Sequence, residues 1–251
     1  MRLLNWTPKP GFDCFRCPRY LYRFLERLFH VEATGGDKLP LRIYGAAQLR
    51  PIRYTLPVAS AQVKSAIMLA ALAANGETII TEPVATRDHT ERLLAYMGAA
   101  VVVDHGSDNV RRIHVTGQKS LAAQSIFVAS DPSSAAFVTV AALITPDSDV
   151  MMPGVMINPL RAGLYTTLKE MGGDIAFDNV RERSGEPVAD IRVRSSVLKG
   201  VTVPVERVAA MIDEFPVFCV AAACADGMTT MTGLGELRVK ESDRLEKKKK
   251  N

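Results

Sequence analysis

The chain has 251 residues, 47% hydrophobic and 23% charged, ordinary values for a globular protein of one large or two modest domains. Its formal charge of +4 rests on Lys247, Lys248, Lys249 and Lys250: removing those four from 31 basic residues leaves 27, against 27 acidic. A neutral body argues against a nucleic-acid-binding face, and no apolar run is long enough to span a bilayer.

The N-terminus, Met1-Arg2-Leu3-Leu4-Asn5-Trp6 running into Pro8 and Pro10, has no signal-peptide pattern, so a cytoplasmic protein is expected. Cys14 and Cys17 form one Cys-x-x-Cys pair. A structural zinc takes about four ligands and no second pair follows, so no metal is expected. Cys219 and Cys224 lie in an apolar, Ala-rich stretch and read as small core residues in a reduced setting. Residues 1–22 fit no pattern found further on and read as foreign sequence.

From residue 23 onward the chain repeats itself. Phe24–Leu28 reads as the last turns of a helix, with Val31–Ala33 and Leu41–Tyr44 as strands. A fuller copy follows, from about Ala46 to Gln118. It holds an apolar helix at Ala66–Ala73, a turn at Asn75-Gly76 and a strand at Thr78–Ile80. A second helix runs from Thr90 to Met97 and stops at Gly98, and strands Ala100–Asp104 and Arg112–Thr116 form a hairpin. From about Val128 to Gly200 the order recurs. Helix Ala135–Ile144 leads through a turn at Asp147-Ser148-Asp149 to strand Val150–Met152. Helix Leu160–Met171 ends at Gly172-Gly173, and strands Asp174–Asp178 and Asp190–Arg194 close the unit. A third copy starts with helix Phe215–Ala223, turns at Asp226-Gly227, has strand Met228–Thr232 and enters the charged run Leu237–Leu245.

Each unit therefore reads β-α-β-α-β-β. A helix between two strands implies a crossover and parallel pairing, whereas the closing hairpin is antiparallel. The fold class is α/β with mixed sheets, built from these units. Residues 23–128 are assigned to one domain and 129–245 to a second, with the change near Val128–Ser134. Residues 246–251 form a lysine-rich tail that reads as foreign, and the unit order implies a chain cut at both ends.

Four joints carry polar groups suited to chemistry. Pro57-Val58-Ala59-Ser60-Ala61-Gln62-Val63-Lys64-Ser65 leads into the first helix, whose free N–H groups and positive dipole end suit a phosphate, with Ser60 and Gln62 as added partners. The plainer role for Ser60 is an N-cap. In Thr86-Arg87-Asp88-His89-Thr90, Arg87 matches bidentate phosphate binding; its plainer role is an exposed loop arginine. Asp213, in Ile212-Asp213-Glu214-Phe215-Pro216, is an acid among apolar residues and suits a general base, its plainer role again being an N-cap. Ser130-Asp131-Pro132-Ser133-Ser134 reads as capping at a domain junction. In the charged run, Lys240, Glu241 and Arg244 share one face if the segment is helical. Two cations beside a carboxylate suit a small anionic substrate that needs proton transfer, and local ion pairing on a solvated helix is the plainer alternative.

These four segments, in this order, resemble the 5-enolpyruvylshikimate-3-phosphate synthase family in its class II, glyphosate-tolerant branch, from about Val31 to Leu245. The resemblance implies two domains of β-α-β-α-β-β units, six in all, with the site between them. It implies that Ser60, Ala61, Gln62 and Arg87 bind shikimate-3-phosphate and that Asp213 and Lys240 contact its reacting hydroxyl. Lys240, Glu241 and Arg244 would face phosphoenolpyruvate, with Asp213, Lys240 and Glu241 as the catalytic set. It implies no metal and no organic cofactor, and a monomer is expected. The family's early Lys-Ser motif, its Asn-Ala-Gly-Thr loop, its late Asp-His-Arg segment and a C-terminal lysine are absent here, which implies weak anion binding and little synthase activity. The competing readings are a UDP-N-acetylglucosamine enolpyruvyl transferase and a non-catalytic fragment. RNA-end cyclases share related repeats, but the neutral body speaks against RNA.

Overall fold

A computed structural model of the chain describes residues 30–33, 41–44, 48–106, 110–118 and 120–238. The readings made for residues 1–22, for Phe24–Leu28, for Lys240, Glu241 and Arg244, and for the lysine tail lie outside the described residues. The chain divides into two compact units. The first holds the residues up to Thr86 together with Leu94–Ala123, and the second holds Arg87–Leu93 together with the residues from Gln124 onward. The passage at Ala123–Gln124 comes shortly before the expected Val128–Ser134. Arg87–Leu93, expected with the first domain, counts with the second unit.

In the first unit, β1 (His30–Ala33) and β2 (Leu41–Tyr44) pair antiparallel. A four-stranded sheet follows, of β3 (Arg53–Thr55), β4 (Glu77–Glu82), β5 (Val101–His105) and β6 (Arg111–Thr116), in the order β3-β4-β6-β5. Helix α1 (Ala61–Ala71) connects β3 to β4, and those two strands are parallel, as a crossover demands. The closing β5–β6 hairpin is antiparallel, and β6 also pairs antiparallel with β4. Helix α1 begins five residues before the expected Ala66, because the Ser60 hydroxyl caps it by accepting the Val63 N–H at 3.3 Å. Its inward face, Val63, Ile67, Met68 and Ala71, packs with Leu56, Ile80, Ile113 and Val115. Burying each such side chain stabilises the unit by roughly 1.5–3 kcal/mol. Helix α2 (His89–Tyr96) stops at Gly98, whose φ of +80° is the left-handed turn a side chain resists.

The second unit repeats the pattern. Ser130 bridges Val155 in parallel where the first unit has β3. Helix α3 (Pro132–Ile144), β7 (Asp149–Met156), helix α4 (Gly163–Glu170), β8 (Asp174–Arg183) and β9 (Glu186–Arg194) follow, and the sheet order is β7-β9-β8. Asp131 caps α3, accepting the N–H groups of Ser133 and Ser134 at 3.2 and 2.9 Å. Pro132 stands at the first turn, where a missing N–H costs nothing. The β8–β9 hairpin reaches well past the expected Asp178 and Asp190. It turns on Ser184 and Gly185, both at positive φ, the two-residue turn that matches strand twist. A third partial copy has β10 (Thr202–Val203) parallel to β11 (Thr230–Met231) with helix α5 (Phe215–Ala223) between them. One core gathers Leu143, Tyr165, Leu168, Ile191, Phe215 and Phe218. The expectation for the cysteines is corrected: Cys219 is half-buried and Cys224 is exposed, because α5 ends at Ala223 and leaves Cys224 in the cap.

Candidate functional site

In the first unit, Ser60, Ala61 and Gln62 stand where expected, at the start of α1. Ser60 and Ala61 are half-buried and Gln62 is exposed. Ser60 uses an oxygen lone pair for the cap, so its plainer role is realised while its O–H stays a donor. Behind this helix start lies a charged group that the sequence reading passed over. The Lys64 side chain is fully buried, and its ammonium lies 3.0 Å from the equally buried Glu82 carboxylate. Arg111 reaches the other Glu82 oxygen at 3.1 Å. The Thr86 N–H donates to Glu82 at 3.0 Å and its hydroxyl donates there as well. Two cations and two neutral donors thus satisfy one buried carboxylate, the condition on which such a charge is tolerated. The cluster ties α1 to the loop after β4.

That loop leads to Arg87, whose Nη2 lies 2.9 Å from Asp213 Oδ2 within the second unit; both side chains are about one-third exposed. The residues after Arg87 are held in turn. Asn158, fully buried, donates to Asp88 at 2.6 Å and to Glu186 at 3.0 Å. His89 Nδ1 lies 2.7 Å from Glu186, and Arg92 donates to Asp88 at 2.9 Å and to the Gly185 carbonyl at 3.2 Å. Asn158 and Glu186 were not singled out in the sequence. Their types carry no signal until the β9 start and the loop after β7 are brought together.

Asp213 differs from what its surroundings in sequence suggested. It does not cap α5: the cap position belongs to Glu214, which makes no side-chain cap bond. Nor is Asp213 the acid in the apolar setting; Glu214 is, at 3% exposure. Burial pushes the Glu214 carboxyl above the usual carboxylate range, opposed by the Ser133 hydroxyl and the Arg161 guanidinium. Helical spacing is the signal that could have found it. Glu214 has buried Val217, Phe218 and Ala221 at i+3, i+4 and i+7, whereas Asp213 has exposed Pro216 and Val220 at i+3 and i+7.

The structure thus brings Arg87 to Asp213 and sets Ser60, Ala61 and Gln62 at a helix start. Lys240, Glu241 and Arg244 lie outside the described residues, which end with a 3-10 turn, Leu234–Arg238, anchored by buried Leu237. Among the described residues no three His, Cys, Asp or Glu side chains gather as a metal site, and no helix is long and apolar enough to cross a membrane. The second unit offers a partly exposed guanidinium–carboxylate pair, and the first unit, by itself, a helix start with polar side chains; each is chemistry suited to an anion.

Comparison with known proteins identifies the family. The family model described as EPSP synthase (3-phosphoshikimate 1-carboxyvinyltransferase) matches residues 25–250. A 3-phosphoshikimate 1-carboxyvinyltransferase of Methylobacterium sp. (strain 4-46) is 60% identical over 234 residues, covering 90% of this chain and 52% of that protein. The enzyme of the same name from Paramagnetospirillum magneticum (strain AMB-1) is 59% identical over 213 residues, covering 85% and 48%. Among solved structures, EPSP synthase from Acinetobacter baumannii superposes with a TM-score of 0.80 at 46% identity, covering 91% of this chain and 51% of that one. The enolpyruvyl transferase NikO from Streptomyces tendae, at 15% identity and a TM-score of 0.63, shares the fold. The chain spans about half the length of the curated relatives it matches.

Proposed function

Because this chain belongs to the EPSP synthase family, we propose that it carries part of a site that transfers the enolpyruvyl group of phosphoenolpyruvate to the 5-hydroxyl of shikimate-3-phosphate. The observation that carries this is the Arg87–Asp213 pair at 2.9 Å. An arginine that meets a carboxylate through one nitrogen is able to exchange that partner for the ligand's phosphate. For the first unit, Ser60, Ala61 and Gln62 are carried over from the family resemblance as shikimate-3-phosphate partners, since the start of α1 offers N–H groups that suit a phosphate. Exchange of Arg87 onto the phosphate leaves Asp213 to accept the proton of the reacting hydroxyl.

In the addition step, the hydroxyl oxygen forms a bond to the enol carbon of phosphoenolpyruvate. Its proton passes to Asp213 or Lys240, and a second proton is delivered to the methylene carbon, which becomes a methyl group. Glu241 is assigned that second proton. In the elimination step, the methyl group returns a proton, the carbon–oxygen bond to phosphate breaks, and inorganic phosphate leaves with that bonding pair. Arg244, and Lys240 in its protonated form, balance the carboxylate and phosphate charge. No metal or cofactor is proposed for these steps, and the protein is proposed to act as a cytoplasmic monomer.

Turnover by the 251-residue chain alone is proposed to be slow. The family's early Lys-Ser motif, its Asn-Ala-Gly-Thr loop and its late Asp-His-Arg segment do not occur in this sequence. Losing several charge-assisted contacts to two anions that must be held in reacting geometry costs many orders of magnitude. Phosphate release from shikimate-3-phosphate plus phosphoenolpyruvate measures this. Turnover within the usual enzyme range, roughly 1–1,000 per second, would contradict the slow-turnover proposal.

A further inference from the structure

We propose that Glu214, clamped by Ser133 and Arg161, is the positioning residue that aims Asp213 at the ligand site. This inference rests on the functional reading above and goes one step deeper into it. Asp213 is the outward member of an inward run. Met211, Ile212, Glu214 and Phe215 on either side of it are buried. Three of those four anchors are apolar and hold only by fit, whereas Glu214 is held by directed bonds. The Ser133 hydroxyl donates to its carboxylate, Arg161 Nη2 lies 3.4 Å from the same oxygen, and that nitrogen donates to Ser133 at 2.5 Å. Main-chain bonds add to this: Glu214 N–H donates to Met211 at 3.1 Å, and Phe218 N–H donates to the Glu214 carbonyl at 2.9 Å.

The repeat explains the arrangement. Arg161 sits between β7 and α4, the loop that corresponds to Arg87 between β4 and α2. Ser133 sits in the first turn of α3, the position that corresponds to Gln62 in α1. The two loop arginines thus divide two adjacent carboxylates: Arg87 takes Asp213 and Arg161 takes Glu214. The Arg161 pair is the buried one, with side chains 11% and 3% exposed against 32% and 29% for the other. A buried, satisfied pair fixes geometry, and an open pair remains exchangeable. Glu214 does not touch ligand in this account; it acts through Asp213.

The test uses the whole chain, labelled with carbon-13 and nitrogen-15. The carboxyl carbon signal of Asp213 and the Nε–H signal of Arg87 are compared in wild type, Glu214→Gln and Arg161→Met, with α1 of the first unit as the internal reference. Both signals are expected to move while those of α1 stay in place. Unmoved Asp213 and Arg87 signals would overturn the proposal. The same samples are titrated with shikimate-3-phosphate. Glu214→Gln is expected to weaken binding about ten-fold beside Asp213 and to add nothing in an Asp213→Asn background, since a positioning residue has no effect once its target is gone. Equal losses in both backgrounds would show a merely structural role and sink the idea. If wild type binds no shikimate-3-phosphate, the functional reading fails, and the spectra still decide for or against positioning. Should Glu214→Gln not fold, Ser133→Ala and Arg161→Lys, which loosen the clamp and keep the carboxylate, are read in the same way.

Discussion

At the scale of single residues, the order of Asp213 and Glu214 was the point where sequence and structure parted. Both are acids at the foot of an apolar helix, and local composition does not distinguish them. The inward stripe of α5 does, and it selects Glu214. Its raised carboxyl makes a sign-definite prediction. A folded-state value above the unfolded one stabilises the protein fully below the ordinary carboxylate range, and that contribution is lost as pH rises through the folded value. Glu214→Gln lacks this titration. Its urea midpoint should therefore gain on wild type as pH rises above the ordinary carboxylate range; a gap between the two proteins that is independent of pH would contradict the assignment. Ser60, by contrast, was legible, because a serine before an apolar helical run names its own role. Ser60→Ala should cost about 1 kcal/mol in urea unfolding.

Among elements, the helices and the parallel crossovers were legible from periodicity, and the lengths of strands were not. The outer part of β8, from Asn179 to Arg183, is mostly polar and charged, and the outer part of β9 opens on Glu186-Pro187, so little in their pattern marks them as strands. The Arg181–Asp190 ion pair at 3.2 Å and the Ser184-Gly185 turn hold them instead. At the inner end, Arg192 meets Asp149 with two nitrogens at 2.8 and 2.6 Å, and Arg194 adds a third contact at 3.3 Å. Bonding from Arg192 in the first place, and from Arg194, pulls the Asp149 carboxyl down to about 2. A depressed value gives stability that is present above the unfolded value and lost as pH falls through the folded one. An NMR titration should place the Asp149 midpoint near 2 and return it toward the ordinary range in Arg192→Ala. A midpoint that ignores Arg192 would remove that arginine as the cause. The Lys64–Glu82–Arg111 cluster joins α1 to β4 and β6 and was not legible either, since Lys64 reads as one more polar residue of a helix start. Lys64→Met should destabilise the chain by about 3 kcal/mol, because it strands much of a buried carboxylate charge. A loss under about 0.5 kcal/mol, the usual effect of a surface substitution, would show that Glu82 is not a buried charge in solution.

At the scale of the whole molecule, the crossover of the repeat recurs three times among the described residues. The parallel pair β3–β4, the Ser130–Val155 bridge and the parallel pair β10–β11 each flank the first helix of a unit. Polar residues cluster where those helices begin: Ser60 and Gln62, then Asp131 and Ser133, then Asp213 and Glu214. This was readable because turn and period signals recur along one chain. The assignment of Arg87–Leu93 to the second unit was not readable, since it depends on Asn158 and Glu186, which lie far away in sequence. The central claim is that Arg87 and Asp213 belong to a phosphate-bearing ligand site in a chain spanning about half of its relatives. Titration calorimetry of the intact chain with shikimate-3-phosphate tests it most directly. Saturable binding, weakened at least about ten-fold by Arg87→Ala through loss of a charge-assisted bond, is the predicted result. No binding at all, or binding that Arg87→Ala leaves unchanged, would contradict it.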